Sequence, residues 1–212
     1  MNIVLLGPPG AGKGTQAEPV AARLGLRKLA TGDVLRAALR DGTDQGMRAK
    51  SFMERGDLVP DAVILGILKE AMAEPASAKG VVLDGAVRTV PQAEGLAAVM
   101  ADLGRRVDAV LMFDVPDDEL VQRLSSRTVC DVCQTPYSGR APGTPCDRKD
   151  GGKLVRRADD EPEAIRRRLQ VYRDQTAPVL DWYGKNGARV VTVDAVGPKD
   201  EITERVLRGL AA

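Results

Sequence analysis

The fold of this chain is decided by the stretch IVLLGPPGAGKGT, residues 3–15. Its apolar beginning predicts a buried strand, and the glycines that follow predict a tight turn. The turn carries a G-x4-G-K pattern and leads into a helical pattern over residues 13–24. In such an arrangement backbone N–H groups, the positive end of a helix and Lys13 converge on phosphate oxygens. We therefore predict a phosphate-binding loop.

Outward from this loop, short apolar runs alternate with longer helical patterns. Runs that predict strands cover residues 81–84, 109–115 and 189–193, with a shorter run over 27–29. The helical patterns cover residues 13–24, 61–73, 91–102, 116–125, 161–184 and 199–210. Strands that alternate with helices form a parallel sheet with helices on both faces. We predict an α/β fold of the phosphate-loop NTPase type.

Composition and charge exclude several classes of function. The 212 residues include 31 Lys and Arg against 30 Asp and Glu, so the chain lacks the basic excess of a general nucleic-acid binder. It has no histidine, which excludes a histidine general base or metal ligand. The sequence shows no signal peptide, no apolar stretch of membrane-spanning length and no secreted disulfide framework. We expect a cytoplasmic protein that acts without nucleic acid or membrane.

Position 14 departs from the general phosphate-loop pattern, which places Ser or Thr directly after the lysine. Here Gly14 follows Lys13 and Thr15 comes next, a form typical of nucleoside monophosphate kinases. Six further motifs occur in order along the chain: ATGDVLRAAL (30–39), GDLVPDAVI (56–64), LDGAVRTVPQAE (83–94), RLSSRTVCDVC (123–133), RRADDEPEAIRRRL (156–169) and TAPVLDWY (176–183). With these motifs the chain resembles the adenylate kinase family in its long, bacterial form.

The resemblance implies a phosphotransferase that converts ATP and AMP reversibly into two ADP, with Mg²⁺ bound to ATP. It also implies a monomer with a core of residues 1–29, 61–125 and 163–212, an AMP-binding helical segment over 30–60 and a lid over 126–162. A nucleoside monophosphate kinase that acts on UMP or CMP is the alternative. An ATP-hydrolysing phosphate-loop enzyme, or a zinc-ribbon module on a degenerate nucleotide fold, agrees less well with an intact Lys13 and the matching arginines.

The family's site residues correspond to small, polar and basic residues of this chain. The ATP-binding residues are Gly10, Ala11, Gly12, Lys13, Gly14, Thr15, Arg123 and Arg127. The AMP-binding residues are Thr31, Arg36, Leu58, Val59, Gly85, Arg88, Gln92, Arg157 and Arg168. The catalytic residues are Lys13, Asp84, Arg88, Arg127, Arg157 and Arg168. Arginine suits this work because its guanidinium holds phosphate with two parallel hydrogen bonds and keeps its charge.

The resemblance also gives individual roles. Arg36 and Arg88 hold the AMP phosphate, Arg123 lies against the ATP adenine, and Asp84 orients water bound to Mg²⁺. At residues 86–87 the chain has Ala-Val where the family usually has Phe-Pro. We expect the Ala-Val peptide bond to be trans, because a cis bond without proline costs about 2.5–4 kcal/mol. The departure is expected to weaken AMP binding modestly.

Base selectivity falls on Thr31 and Gln92. AMP-specific members of the family have threonine at the position of Thr31, where pyrimidine-directed relatives have alanine. Gln92 can make paired hydrogen bonds to an adenine edge, and Leu58 and Val59 supply an apolar wall. A site built on such polar pairs discriminates strongly, because the wrong base leaves polar groups unpaired.

Helical spacing gives an independent check on Arg168. It shares a helix face with Ala164, Ile165 and Tyr172, so we predict that it points to the apolar side, whereas Arg166 and Arg167 face solvent. The neighbouring acidic pair, Asp159 and Asp160, has two interpretations. These residues orient the lid arginines, cap the helix that starts at Pro162, or do both.

The cysteines suggest a structural Zn²⁺ in the lid. Cys130-x2-Cys133 has a spacing that suits tetrahedral thiolate ligation, and Cys146 follows after a Gly- and Pro-rich loop. Asp147 and Asp150 are the candidates for the fourth ligand, and Asp150 is preferred because it precedes two glycines as in zinc-bearing relatives. The spacer between the cysteines is shorter than usual there. Three reduced cysteines in a metal-free lid are the alternative.

Overall fold

The computed structural model of the chain describes residues 1–40, 42, 44–148 and 150–211, without the side chains of residues 40, 44–46 and 48. The strands are β1 (Asn2–Leu6), β2 (Arg27–Ala30), β3 (Val81–Asp84), β4 (Ala109–Asp114), β5 (Arg127–Cys130), β6 (Pro136–Ser138), β7 (Leu154–Val155) and β8 (Arg189–Asp194). The helices are α1 (Lys13–Leu24), α2 (Thr31–Arg40), α3 (Asp44–Arg55), α4 (Asp61–Ala73), α5 (Val90–Asp102), α6 (Asp117–Ser125), α7 (Pro162–Val171), α8 (Ala177–Lys185) and α9 (Lys199–Ala211).

The main sheet is parallel and has the strand order β2-β3-β1-β4-β8. Strand β1 lies at its centre, between β3 and β4. The carboxyl ends of parallel strands meet at one edge, so the loop after β1 and the end of β3 lie side by side. The predicted α/β fold is confirmed, and the predicted strands agree with the observed ones to within about one residue.

Both faces of this sheet are covered by helices, and β1 shows how the sequence achieves this. Val4 and Leu6 belong to one buried cluster, whereas Ile3 and Leu5 belong to a second cluster on the opposite face. Successive side chains of a strand point to opposite faces, so a strand covered on both sides must be apolar throughout. The continuous apolar run of β1 therefore fixes the start of the phosphate loop within the core.

The helix predicted over residues 161–184 is wrong in one respect. Helices α7 and α8 are separated by a π-helical turn at Tyr172–Thr176. Such turns occur often at functional sites, because the extra residue redirects the side chains around it. Here the turn brings Tyr172 and Thr176 to the lining of the large cavity described below.

Two insertions interrupt the regular alternation of strand and helix. Helices α2 and α3 lie between β2 and α4, and a small antiparallel sheet, β6-β5-β7, lies between α6 and α7. The insertion that holds α3 touches the core at Gly56, which has φ +75°. A Cβ there would lie 2.8 Å from Arg168 Cγ and 3.0 Å from the Ala164 carbonyl oxygen. Only glycine allows this approach.

Within the described ranges, no helix is both long and apolar enough to cross a bilayer.

Candidate active site

A cavity of about 760 Å³ opens at the carboxyl edge of the main sheet. All the residues assigned above to ATP binding, AMP binding or catalysis line this one cavity, although they come from positions as far apart as Gly10 and Arg168. The cavity is also lined by residues of the lid sheet, including Tyr137 and Ser138. The structure therefore brings the loop, the α2–α3 insertion and the lid insertion to the same space.

The phosphate loop connects β1 directly to α1. Gly12 precedes the helix with φ 89°, in the left-handed region that favours glycine. Lys13 is the first residue of α1, and its Nζ donates to the Gly7 carbonyl at 2.6 Å and to the Pro8 carbonyl at 2.8 Å. The ammonium group is thus folded back over the loop. The first N–H groups of any helix lack partners within it, so the loop offers donors to an anion.

The surroundings of Lys13 change the pKa of its ammonium group. Burial lowers the pKa of Lys13 to about 7, an effect that the Asp84 carboxylate opposes. Asp84 can come close because position 14 has no side chain. A Cβ on Gly14 would lie 3.0 Å from Asp84 Oδ2. The departure from the general loop pattern thus makes room for the carboxylate at the end of β3.

Arginines on the other side of the cavity repel one another, and two of their Nε atoms lack a partner among the described residues. Burial lowers the pKa of Arg157 to about 9, and the nearby Arg36 and Arg127 add to this effect. The Nε atoms of Arg36 and Arg157 are buried and have no hydrogen-bond acceptor among the described residues. Buried polar groups normally find a partner. A bound anion with several oxygens would provide it.

Asp160 holds two of the predicted arginines in place. Its side chain is only 4% exposed, and it accepts from Arg127 Nε at 2.7 Å, from Arg127 Nη2 at 2.5 Å and from Arg168 Nη1 at 2.9 Å. Asp159 forms an ion pair with Arg168 at 3.1 Å. Helix α7 has no side-chain hydrogen bond at its N-cap, Glu161. Of the two interpretations of the acidic pair, orientation of the arginines is the one observed.

The helix-face prediction for Arg168 is also confirmed. Its side chain is 14% exposed, whereas that of Arg167 is 56% exposed. Arg167 is nevertheless not a purely solvated group, because its Nε donates to Asp57 Oδ1 at 2.8 Å. This pair joins α7 to the residues that follow α3. Spacing along one helix could not indicate a partner so distant in sequence.

At the end of the cavity near α2, polar residues already hold one another. Thr31 Oγ1 donates to the Gly85 carbonyl at 2.8 Å, and Gln92 Oε1 accepts from Arg88 N at 2.8 Å. Burial lowers the pKa of Arg88, and the nearby Arg168 lowers it further. A Cβ on Gly85, whose φ is +66°, would lie 3.2 Å from Arg88 Nη2. This glycine therefore gives Arg88 its space.

Two other expectations concern the surroundings of the site. The Ala86–Val87 peptide bond is trans, and both side chains are 1% exposed within a core cluster. Arg123 lines the cavity, where its Nε donates to Glu119 at 2.9 Å and its Nη2 donates to the Ala195 carbonyl at 3.0 Å. Its guanidinium plane is thus anchored beside the loop. Its role against adenine stays a prediction.

Comparison with known proteins gives the family. The family model described as adenylate kinase matches residues 5–188. The chain is 62% identical over 211 residues to an adenylate kinase of Gemmatimonas aurantiaca, with 99% of each chain covered. It is 44% identical over 208 residues to an adenylate kinase of Methanosarcina barkeri, covering 97% of this chain and 96% of the relative. The chain belongs to the adenylate kinase family.

For a member of the adenylate kinase family, the structure adds positioning residues that sequence reasoning missed. Thr176 Oγ1, in the π-helical turn, donates to the Arg88 carbonyl at 2.8 Å. Asp61 Oδ1 accepts from Gln92 Nε2 at 2.7 Å. Asp61 lies in the motif GDLVPDAVI (56–64) and Thr176 begins the motif TAPVLDWY (176–183), but neither residue was assigned a role from the sequence. The dense spacing of Arg88, Thr89 and Gln92 was the available signal, but it could not show which distant residues support them.

The predicted metal ligands form a cluster of their own in the β5–β7 insertion, the lid tip, and none of them lines the cavity. The ligand atoms of Cys130, Cys133, Cys146 and Asp150 are all within 4.8 Å of one another. Asp147 Oδ2 instead accepts from Arg140 Nη1 at 2.5 Å. Burial raises the pKa of the Cys130 thiol to about 12. A hydrogen bond from Cys133 lowers the pKa of Asp150 to about 2. Between the two candidates for the fourth ligand, Asp150 is the one that meets the cysteines.

Proposed function

We propose that this chain catalyses the reversible transfer of a phosphoryl group from ATP to AMP, which yields two ADP, with Mg²⁺ bound to ATP. The observation that carries this proposal is a single cavity in which a phosphate loop faces arginines, two of which have buried Nε atoms with no acceptor in the described part of the chain. Phosphoryl transfer needs positioning and neutralisation of charge more than covalent help from the protein. The membership of the adenylate kinase family supports the same activity.

The loop end of the cavity is the proposed ATP site. On binding, the phosphates would replace the Gly7 and Pro8 carbonyls as partners of Lys13, whose ammonium then neutralises the terminal groups. Mg²⁺ takes oxygen ligands and usually keeps several waters. Asp84, next to the loop at the end of β3, supplies the carboxylate that would hold this hydrated ion.

The opposite end is the proposed AMP site. Arg36 and Arg88 would bind the AMP phosphate, and Gln92 and Thr31 would read the base beside the wall formed by Leu58 and Val59. Arg127, Arg157 and Arg168 lie between the two ends, where the transferred group carries its charge. Fixed donors at such a point lower the barrier without reorganisation during the reaction.

We also propose the division of the chain into a core, an AMP-binding segment over 30–60 and a lid over 126–162. Arg127 and Arg157 lie near the two ends of the lid, and Asp160 joins Arg127 to Arg168 of helix α7. Movement of the lid would therefore carry these charges on and off the phosphates. Closure would also exclude water, which otherwise hydrolyses ATP.

The test compares the rates of ADP formation with different phosphoryl acceptors. Purified protein with ATP and Mg²⁺ is given AMP, UMP, CMP or no acceptor, and the nucleotides are separated and counted. We expect two ADP for each AMP consumed and only slow release of ADP without an acceptor. Faster conversion of UMP or CMP than of AMP would establish the alternative kinase. An equal rate of ADP formation with and without AMP would establish a hydrolase.

A structural Zn²⁺ in the lid is a second part of the proposal. Three thiolates and one carboxylate form a closed tetrahedral set, which leaves no open position for substrate. The cluster of buried lid residues is small, namely Cys130, Cys146 and Leu154, so the lid needs a staple more than the main sheet does. Elemental analysis of protein purified without chelator should find about one zinc per chain.

For its cellular setting we propose a monomer in the cytoplasm. The cavity is formed by residues of one chain, so no second copy is needed to complete it. The cysteines are free thiols in the structure, a state that a reducing compartment maintains. Sedimentation of the purified protein at assay concentration tests the monomer.

A further inference from the structure

The side-chain amide of Gln92 is held from both ends. It is 2% exposed and lines the cavity. Its Oε1 accepts from Arg88 N at 2.8 Å, and its Nε2 donates to Asp61 Oδ1 at 2.7 Å. Thr89, the N-cap of α5, joins the same group, because its Oγ1 accepts from Gln92 N at 3.2 Å and lies 3.5 Å from Asp61 Oδ1.

These partners fix which end of the amide is oxygen and which is nitrogen. A carboxylate such as that of Asp61 can only accept hydrogen bonds, and a backbone N–H can only donate. If the amide were reversed, Gln92 Oε1 would face a carboxylate oxygen and Nε2 would face the N–H of Arg88. Both contacts would then be repulsive in a buried place, where unpaired polar groups are costly.

The fixed amide matters because of what it leaves for a ligand. An amide oxygen can accept a second hydrogen bond, and an amide nitrogen has a second hydrogen to donate. Adenine offers a donor, its 6-amino group, beside a ring-nitrogen acceptor, whereas a 6-oxopurine places an acceptor at the same carbon. One orientation of the amide therefore pairs with the donor and acceptor of adenine and repels a 6-oxo group. The reversed orientation pairs with a 6-oxopurine and repels adenine.

We propose that Asp61 is a positioning residue that makes the acceptor site select adenine over 6-oxopurines, by fixing the polarity of the Gln92 amide. The inference rests on the proposed function, in which Gln92 reads the acceptor base. Asp61 is the first residue of α4, where the positive end of the helix favours a carboxylate.

The experiment measures kcat/KM for AMP and for IMP with ATP as the donor, by separating the nucleotides. In Asp61→Asn the new side-chain amide can donate to Oε1, so the reversed Gln92 orientation becomes accessible. We expect the AMP-to-IMP ratio to fall by about tenfold, because one of two orienting contacts no longer discriminates.

The matched control is Asp108→Asn. Asp108 Oδ2 also accepts a short hydrogen bond, from Asn2 N at 2.7 Å, but it lies outside the nucleotide cavity. The AMP-to-IMP ratio of kcat/KM in Asp108→Asn should equal that of the unmodified chain. The KM for ATP and the midpoint of thermal unfolding are recorded for every variant, so that a general loss of structure is separated from a change in selectivity.

The outcomes separate the two levels of the proposal. An unmodified chain that does not phosphorylate AMP refutes the proposed function itself. If the chain uses AMP and Gln92→Leu lowers the AMP-to-IMP ratio, Gln92 reads the base as proposed. An unchanged ratio in Asp61→Asn would then overturn the role of Asp61. A lower ratio in Asp61→Asn, with the KM for ATP unchanged, supports it.

Discussion

The nucleotide cavity and the cysteine cluster at the lid tip both gather ionisable side chains within a few ångströms, but they are stabilised differently. In the cavity, Arg127 and Arg168 share the buried carboxylate of Asp160. The cavity is also backed by the two large clusters of the main sheet. At the lid tip, Cys130, Cys146 and Leu154 are the buried residues of the local cluster. The lid tip therefore has little apolar area with which to hold its shape.

This difference indicates which kind of ligand each region would bind. Partners within the protein keep the cavity in shape. Arg36 Nε and Arg157 Nε have no acceptor within the described ranges, and a bound substrate would provide one. The thiols of the lid have one another, hydroxyl groups and the Asp150 carboxylate as partners, for example Cys146 Sγ at 3.7 Å from Cys133 Sγ and at 3.4 Å from Tyr137 Oη. A metal would replace these weak contacts by strong bonds. The cavity is thus preorganised for a passing ligand, and the lid tip for a permanent one.

The largest effect is expected from Lys13→Met. Methionine keeps the length of the side chain but removes the ammonium group that faces the terminal phosphates. Loss of one preorganised electrostatic donor costs about 10²–10³-fold in kcat. The fold should persist, because burial of the Lys13 ammonium disfavours its charged form and lowers its pKa to about 7. Removal of this charge should therefore not destabilise the folded state. Rates and thermal midpoints of purified protein check this.

The control for this substitution is Lys69→Met, on the exposed face of α4. It changes the same net charge without touching the cavity, so activity should be retained. Near-normal activity in Lys13→Met would remove the phosphate loop from the mechanism.

Removal of the lid metal should have the next largest effect, and it should stay local. With chelator, or in Cys146→Ser, we expect amides of β5 and β7 to lose protection from hydrogen exchange, whereas β1 and β3 keep theirs. Activity should fall because the lid arginines lose their support. Asp147→Asn is the matched control, since Asp147 pairs with Arg140 and not with the cysteines. An ordered lid and full activity in metal-free protein would contradict the proposed zinc.

The sequence predicted the phosphate-loop end of the cavity better than the rest, for a physical reason. A loop between a buried strand and a helix is local, so the residues from Gly7 to Thr15 carry the whole pattern. The main sheet was predictable for the same reason, because each strand is a short apolar run. The lid strands β5–β7 were not, since they are two to four residues long and lie among glycines and prolines.

Contacts between distant residues could not be predicted at all. Asp61 with Gln92 and Arg167 with Asp57 are pairs that the fold brings together over 31 and 110 residues. The π-helical turn was also missed, because its residues continue the helical pattern on both sides. Periodicity indicates which face of an element is buried, but it does not indicate which partner lies opposite.

A smaller effect on activity is expected from Asp160→Asn. Asparagine keeps the shape but removes the charge shared by Arg127 and Arg168. We expect kcat to fall about tenfold, because a misplaced donor loses part of its effect in the transition state. Unpairing a buried ion pair also costs about 3–5 kcal/mol of stability.

The exposed pair of Arg173 with Asp117 gives the comparison for Asp160→Asn. Asp117→Asn should change stability by about 0–1 kcal/mol, as is usual for exposed pairs. Chemical unfolding and steady-state rates of both variants provide the measurement. Equal stability losses in the two variants would show that Asp160 does not orient the arginines from a buried position.

The smallest expected signal is the number of protons that ligand binding takes up or releases. ATP binding in the cavity should take up protons, whereas zinc binding at the lid tip should release them. Lys13, with a pKa of about 7, is mostly neutral at pH 8 in the free protein. The phosphates of ATP favour its charged form and raise its pKa, so binding should take up as much as about one proton. Since the complex holds more protons than the free protein, ATP should bind more tightly as the pH falls from 8 to 7. Zinc must instead displace protons from thiols, among them Cys130, whose pKa burial raises to about 12.

Calorimetry in two buffers with different ionisation enthalpies counts these protons. ATP binding should show uptake in the unmodified chain and none in Lys13→Met, because methionine cannot be protonated. Zinc binding to metal-free protein should show release, with the same number of protons in both chains, since Lys13 lies in the cavity and the cysteines lie at the lid tip. Uptake that persists in Lys13→Met would assign the proton to another group of the cavity. Zinc binding without release would mean that the thiols do not ligate the metal as thiolates.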